Sequence, residues 1–297
     1  MATRLRTVII PAAGKGTRLR PATRVTAKEL LPVYDRVAID FAMAEAVEAG
    51  AERIIVVISP AKTAIQDYLQ GDPNFAVDSI GRSTPTLVSD VRLGPTRIEF
   101  VFQDQPRGLG DAILCCAGHT LAGPIGVILP DDVIFGAGCL AEMAADHVDG
   151  QMVAAMHVSP DATQQYGIFH VKALPAGKCV PVSGMVEKPA PGTAPSSLAA
   201  VGRYILTPSI FEILRHTPTG AGGELQLTDA IAIATRGTRL TAFRFSGDRY
   251  DCGNHEGLLA ASVARQAIVM SERAAPRRAP MPAIVEANQA QRFMSRV

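Results

Sequence analysis

The sequence predicts an α/β protein: a mostly parallel, mixed sheet flanked by helices on both faces, followed by a smaller antiparallel layer. Two observations carry that prediction. Up to about residue 160, short continuous apolar runs alternate with helix-period segments, which is the rhythm of strand, helix, strand. Beyond it, apolar runs are joined by loops rich in Pro, Gly and Ser, such as "PAPGTAPSS" at 189–197.

In chain order, "TVIIPA" at 7–12 is the first strand, and 38–49 is a helix that stops at Gly50. "RIIVVIS" at 53–59 is the next strand, and Ser59 before Pro60 caps the helix after it. Residues 71–95 form a long irregular insertion, a pattern typical of functional surface loops. "IEFVFQ" at 98–103, a helix from about Gly108 to Gly118, "GVILPDD" at 126–132, a helix near 138–147 and "MVAAMHV" at 152–158 complete the parallel part. "YGIFHVKA", "VPVSGMVEKP" and "LAAVGRYIL" supply the antiparallel strands. Helices at 208–215, 225–236 and 254–272 follow, interrupted by the strand "LTAFRF". The pattern is that of one domain over 1–273, with parts at about 5–158, 159–253 and 254–273, and a Pro/Arg/Ala-rich tail at 274–297.

Composition excludes several functions. The chain has 297 residues, 47% of them hydrophobic and 19% charged, so a substantial core is expected instead of disorder. A net charge of +1 gives no whole-molecule field for nucleic acid or an anionic membrane, so any preference for anions is local. Five cysteines, with no CxxC pair and no histidine at zinc-finger spacing, fit a reduced, cytoplasmic chain. No apolar run approaches the ~18 residues of a membrane span.

The local exception is "AAGKGTRLRPATRVTAK", where Lys15, Arg18, Arg20, Arg24 and Lys28 crowd just past the first strand. Glycines there let backbone N–H groups approach a phosphate closely. A nicotinamide fingerprint is disfavoured: Gly14 and Gly16 are followed by Leu19 where a third glycine belongs, and the second strand ends at Ser59 instead of a ribose-binding acid. A Walker loop fails as well, for want of a hydroxyl residue after Lys15. A polyphosphate remains the ligand that suits such cationic density.

"AAGKGTRLRPAT" with "KELLPVYD", then "GLGDAI", "LPDD", "YGI", "VEKP", "VGRYIL", "GGELQLTDAI" and "DCGN", resembles the sugar-1-phosphate nucleotidylyltransferase family over roughly residues 5–265. The order and spacing are most similar to its bacterial UTP:glucose-1-phosphate uridylyltransferases. The resemblance implies a Rossmann-like nucleotide-diphospho-sugar transferase fold whose antiparallel part binds the sugar. It also implies Mg²⁺ as cofactor, UTP and glucose 1-phosphate as substrates, and a homodimer or homotetramer.

The reaction so implied is attack of a sugar-1-phosphate oxygen on the α-phosphorus of a nucleoside triphosphate. That nucleophile is already anionic, so cations and a metal matter more than a general base. By resemblance, Arg18 and the backbone of Gly14, Lys15, Gly16 and Thr17, entered through Ala12 and Ala13, hold the triphosphate, and Lys28 sits near the reacting phosphates. Asp131 and Asp251 are the implied metal carboxylates, a number that suits Mg²⁺. Asp132 reads as a turn or cap residue. Gln103 and Gly108 read the base, and a Gln amide offers both a donor and an acceptor. Gly167, Glu187, Lys188 and Gly202 surround the sugar phosphate. Glu187 and Lys188, adjacent on a strand, are expected to start on opposite faces. Glu224 and Asp229 read as architecture, and Cys115 and Cys116 as core.

The sequence departs from the resemblance at Ala27, at "YDRVAI" and at Asp111, which follows "GLG" where a histidine is common and bears on base or ribose preference. The competing readings are a thymidylyltransferase using dTTP and a non-catalytic nucleotide-sugar-binding subunit. The latter is disfavoured because Arg18, Lys28, Asp131, Lys188 and Asp251 are all present.

Overall fold

Burial on both faces organises this chain. In the computed structural model, which describes residues 3–70, 96–171 and 176–274, Ile54 to Ile58 are all 0% exposed. Burying each such side chain contributes about 1.5–3 kcal/mol. That exceeds the ~1 kcal/mol span of strand propensities, so burial decides the element. The expected insertion at 71–95 and the tail from 275 lie outside the described residues.

The strands are β1 (Thr7–Pro11), β2 (Pro32–Val33), β3 (Arg36–Val37), β4 (Arg53–Ile58), β5 (Arg97–Phe102), β6 (Ile125–Ile128), β7 (Asp132–Phe135), β8 (Gln151–His157), β9 (Gly167–Phe169), β10 (Cys179–Val182), β11 (Met185–Glu187), β12 (Leu198–Leu206), β13 (Leu240–Arg244) and β14 (Asp248–Asp251). The helices are α1 (Ala38–Glu48), α2 (Thr63–Gln70), α3 (Leu109–Leu114), α4 (Cys139–Asp146), α5 (Ile210–His216), α6 (Leu227–Ala234) and α7 (His255–Ala274). The main sheet runs β10-β13-β8-β12-β6-β1-β4-β5, with β9 and β11 branching from β12. β1 is parallel to β4 and β6, β4 to β5, and β13 to β8. β12 runs antiparallel to both β6 and β8.

The alternation within β1 sorts the layers. Val8 and Ile10 pack with Ile39 and Met43 of α1 and Leu140 and Met143 of α4. Ile9 faces the opposite way, with Ile113 of α3, Phe211 of α5 and Ile231 of α6. The fold class read from the sequence is the one observed, with one refinement: the antiparallel strands hydrogen-bond into the main sheet, β9 through β12 and β10 through β13. Small two-stranded antiparallel sheets, β14-β7 and β2-β3, stand beside it among the described residues.

Two local expectations are corrected. "GVILPDD" is not one strand, because β6 stops at Ile128 and Asp132 opens β7 after a turn through Leu129–Asp131. Pro130 has no N–H to give to a ladder. The Leu129 N–H instead donates to Gly202 O at 2.8 Å, and the Asp132 N–H to Leu129 O at 3.2 Å. The helix expected from Gly108 to Gly118 is regular only over α3.

A buried ion pair fixes that turn. Arg203, 1% exposed, grips Glu45 through Nε and Nη2 at 2.8–3.0 Å. It also donates to the carbonyls of Asp132 at 2.7 Å, Gly202 at 3.1 Å and Leu129 at 3.3 Å. Burial works against the charged Arg203, but Glu45 outweighs it and holds its pKa above the usual arginine value. Arg203→Met leaves Glu45 buried without its cation and is expected to cost about 3–5 kcal/mol in urea unfolding. Replacing both, Arg203→Met with Glu45→Leu, should recover part of that loss; a single variant as stable as the parent would contradict the assignment.

Candidate functional site

The turn at 129–131 and the β7–β14 ladder bring three acidic residues to the carboxyl edge of the sheet. Asp251 pairs in register with Asp132, and the Cys252 N–H donates to Asp131 O at 2.7 Å. Asp131 receives the Lys28 ammonium on Oδ2. Burial works against both charges, but their mutual attraction outweighs it: the Asp131 carboxyl is held below its usual value and the Lys28 ammonium above its own.

Asp132 is treated differently. Its Oδ1 accepts from Arg249 Nε at 2.7 Å, and its Oδ2 accepts the Gly202 N–H at 2.8 Å. Burial nevertheless pushes its pKa up, despite Arg249, and Asp131 adds to the rise. The residue read as a turn cap is therefore a buried counter-charge. Arg249 also donates to Tyr166 Oη at 3.1 Å and lies 5.5 Å from that ring's centroid.

Asp251 accepts the Gly253 N–H on Oδ1 at 2.9 Å and faces Arg18 Nη1 at 3.4 Å. Gly253 marks how tightly these groups converge. A Cβ there would lie 2.6 Å from Arg18 Nη2, 2.9 Å from Asp251 Oδ1 and 3.0 Å from Asp131 Oδ2. Three side chains from distant segments thus crowd around one glycine.

Two cavities meet at this edge, sharing Leu109, Leu129, Asp131 and Glu224. The larger, about 500 Å³, is lined by Ala13, Gly14, Lys15, Gly16, Thr17, Lys28, Gln103 and Gly108, among others. Gly16 adopts φ 61°, and among the described residues no atom beyond Gly14 and its chain neighbours lies within 4 Å of where a Gly14 Cβ would stand. The loop there faces open space. Ala12 is fully buried below it and is absent from the wall; its carbonyl accepts from Lys62 Nζ at 2.8 Å. Lys62 donates equally to Glu29 Oε2, so it ties the end of β1 to the turn that carries Lys28.

The smaller cavity, about 290 Å³, holds Arg18, Asp132, Tyr166, Gly167, Glu187, Lys188, Gly202, Thr228, Arg249 and Asp251 in its wall. Arg18 thus lies on this side, not within the glycine-loop cavity. Glu187 Oε2 accepts from Thr228 Oγ1 at 2.7 Å. Lys188 is corrected: it leaves β11 at φ 42°, and its Nζ lies 3.5 Å from Glu187 Oε1, on the same side instead of the opposite one. A left-handed residue breaks the alternation of a strand. A Cβ on Gly202 would meet Asp132 Oδ2 and Leu129 Cβ at 2.6 Å, so only glycine fits.

Tyr166, Thr228 and Arg249 were missed as wall residues, and Glu224 lies at the junction instead of being architecture alone. Arg249 had a signal: it stands two positions before Asp251 on a strand, hence on the same face. Asp229 does not line either cavity, and Arg20 and Arg24 are exposed outside both. Cys116 belongs to the core, where burial pushes its thiol up.

An open α/β sheet with a glycine loop, a cation-rich mouth and two abutting cavities defines a nucleotide-binding phosphoryl-group enzyme. The chain belongs to the nucleotidyl transferase family, whose model matches residues 7–267. It is 38% identical over 276 residues to a UTP–glucose-1-phosphate uridylyltransferase of Streptococcus pyogenes, covering 88% of each chain. The corresponding Bacillus subtilis protein is 37% identical over 261 residues, covering 86% of this chain and 89% of its own. A solved UDP-glucose pyrophosphorylase complexed with UDP-glucose superposes with a TM-score of 0.79 at 34% identity, over 89% of this chain and 99% of the other. A UTP-bound enzyme from Acinetobacter baumannii gives 0.78 at 30% identity, over 92% and 100%.

The Lys28–Asp131 pair makes a pH prediction. Asp131, held below its ordinary 3.8, contributes stability that is present above that pH and lost as pH falls through its lower folded value. Lys28, held above 10.5, contributes stability present below 10.5 and lost as pH rises through its higher folded value. Lys28→Met removes the attraction and leaves burial to raise Asp131, so the deficit against the parent should grow from about pH 4 to pH 8. Thermal melts at the two pH values check this; an equal deficit at both would contradict it.

Proposed function

We propose that the chain transfers the uridylyl group of UTP to glucose 1-phosphate, releasing UDP-glucose and pyrophosphate. The observation that carries the reading is the junction of the two cavities, where Lys28 and Asp131 stand between a glycine loop and a Glu187/Lys188 pocket. An α-phosphorus held there would face the sugar phosphate on one side and the rest of the triphosphate on the other.

In this reading the glycine-loop N–H groups and Lys28 hold the triphosphate, while Lys188, Arg18 and Arg249 offset the charge of the sugar phosphate. Glu187 and the Gly167 backbone meet sugar hydroxyls. A phosphate oxygen of glucose 1-phosphate forms the new bond to the α-phosphorus as the bond to the β-phosphate bridging oxygen breaks. No proton moves, because both nucleophile and leaving group are anions. The protein supplies position and charge.

The residues fit Mg²⁺: Asp131 and Asp251 offer hard carboxylate oxygens that converge around Gly253, and two carboxylates plus phosphates are a common Mg²⁺ set. When bound, the ion would supply neutralisation of the phosphate oxygens. Among the described residues no group of three or more His, Cys, Asp or Glu forms a metal cluster of its own, and none is needed for that set. No helix of the described residues is long and apolar enough to cross a membrane. All five cysteines are free, which suits a reducing compartment, so we place the reaction in the cytoplasm.

Pyrophosphate release with Mg²⁺ and glucose 1-phosphate, compared across UTP, dTTP, CTP, ATP and GTP, tests the reading. UTP should be preferred, and Asp131→Asn should lower turnover by about 100-fold or more. Preference for dTTP would move the activity to thymidylyl transfer. Binding of UDP-glucose without turnover of any triphosphate would make the chain a binder instead. Gly253→Ala should lower kcat by about 10- to 100-fold while melting within a few degrees of the parent, since the atoms nearest its Cβ are the ends of the Arg18, Asp251 and Asp131 side chains and not backbone. Full activity in that variant would remove these groups from the reacting centre.

A further inference from the structure

We propose that Asp111 sets base selectivity by locking the Gln103 amide with its carbonyl oxygen toward the larger cavity, so that the chain accepts a base presenting an N3–H and rejects cytosine. The inference rests on the assignment of base reading to Gln103 and deepens it.

Gln103 is 4% exposed and lies in the wall of the cavity that holds the glycine loop. Its Nε2 donates to Asp111 Oδ2 at 2.7 Å and to Gly108 O at 3.1 Å. A carboxylate and a peptide carbonyl can only accept, so the amide nitrogen must face them. Reversing the amide would set Oε1 against two oxygens in a buried position. The orientation is therefore dictated by the partners and not by a choice between look-alike atoms.

Asp111 is itself held. Its Oδ1 accepts from Arg107 Nε at 3.2 Å and Nη2 at 2.9 Å, so both carboxylate oxygens are engaged and the group cannot turn away from Gln103. It projects from α3, whose start is anchored by the Gly110 N–H on Leu225 O at 2.8 Å. Gly108 adopts φ 103°, and a Cβ there would lie 2.8 Å from both Glu224 Cβ and Leu225 O, so the carbonyl that completes the lock sits on a fixed path.

What remains free is Gln103 Oε1. No protein donor engages it among the described residues, and it is not a sealed atom either, since the buried side-chain atom without a partner is Glu29 Oε1. The cavity therefore meets a fixed acceptor. Uracil presents N3–H between two carbonyls and matches it, whereas cytosine presents a lone pair at N3. Two acceptors facing each other in a nearly buried site disfavour cytosine strongly. Thymine carries the same edge as uracil, so Asp111 does not separate UTP from dTTP. Its place where a histidine is common thus bears on pyrimidine class, not on the thymine methyl.

Titration calorimetry of UTP and CTP in the presence of Mg²⁺ tests this on the parent, Asp111→Asn and Asp111→Ala. The parent should favour UTP. Asp111→Ala should shrink the UTP-over-CTP affinity ratio by about tenfold or more, because the amide regains its freedom to turn. Asp111→Asn, which keeps one acceptor oxygen, should retain more of the ratio. If Asp111→Ala does not fold, Arg107→Met at the largely exposed end of the chain of contacts should lower the ratio about threefold; an unchanged ratio in whichever variants melt like the parent overturns the proposal. A parent that binds CTP as tightly as UTP overturns it too. Because binding is read apart from turnover, a UTP preference without pyrophosphate release would defeat the proposed reaction and leave the lock standing, while pyrophosphate release from UTP with an affinity ratio that Asp111→Ala leaves unchanged would do the reverse.

Discussion

Two consecutive carboxylates, Asp131 half-buried and Asp132 buried, impose the constraint from which the site follows. An unpaired carboxylate in such a place costs several kcal/mol, so each must find a cation. Lys28 meets Asp131 from the N-terminal loop, and Arg249 meets Asp132 from β14. Arg203 lies beneath both and holds the backbone around them through the carbonyls of Leu129 and Asp132 at the turn and of Gly202 on β12. The chain segments that carry Lys28 and Arg249 are thereby drawn to one edge by the same charges that offset the cost of taking the carboxylates out of water. The two carboxyls also part in character. Asp131 is held in its anionic form, while burial raises Asp132, whose oxygens are spent on Arg249 and the Gly202 N–H.

In the proposed reaction the attacking sugar-phosphate oxygen is already an anion, so no serine, cysteine or histidine nucleophile is needed. Cys252 is the thiol nearest in sequence to the centre, and burial pushes it up to about 12, away from reactivity. Among the described residues no Ser, Cys or His lines either cavity, and the charged groups there are cations and carboxylates set beside amides, hydroxyls and glycine backbone. Such a set can hold phosphates, neutralise them and align them. It has little to offer covalent catalysis.

The sheet was legible because its strands are continuous apolar runs, and burial on both faces leaves little else for such runs to do. The glycine loop, Lys28, Gln103, Gly108 and Asp131 were legible as a group because they lie in short motifs at the carboxyl ends of those strands, and the structure gathers them around one cavity. What was not legible depends on partners far away in sequence. Asp132 looks like any turn residue until Arg249 arrives from 117 positions later. Lys188 breaks the strand alternation through a single left-handed dihedral, which nothing in "VEKP" announces. Ala12 illustrates the converse: its backbone matters to the loop, but its side chain is packed below the cavity.

The reaction proposed for this site is a single in-line displacement arranged by fixed charges. The configuration at the α-phosphorus reads that displacement directly, using UTP carrying one sulfur of defined configuration on the α-phosphate. One displacement inverts the centre, and inversion in the UDP-glucose product is the predicted result. Retention would require two displacements through a group on the protein, and would contradict the assignment of Lys28, Asp131 and their neighbours to positioning and charge alone.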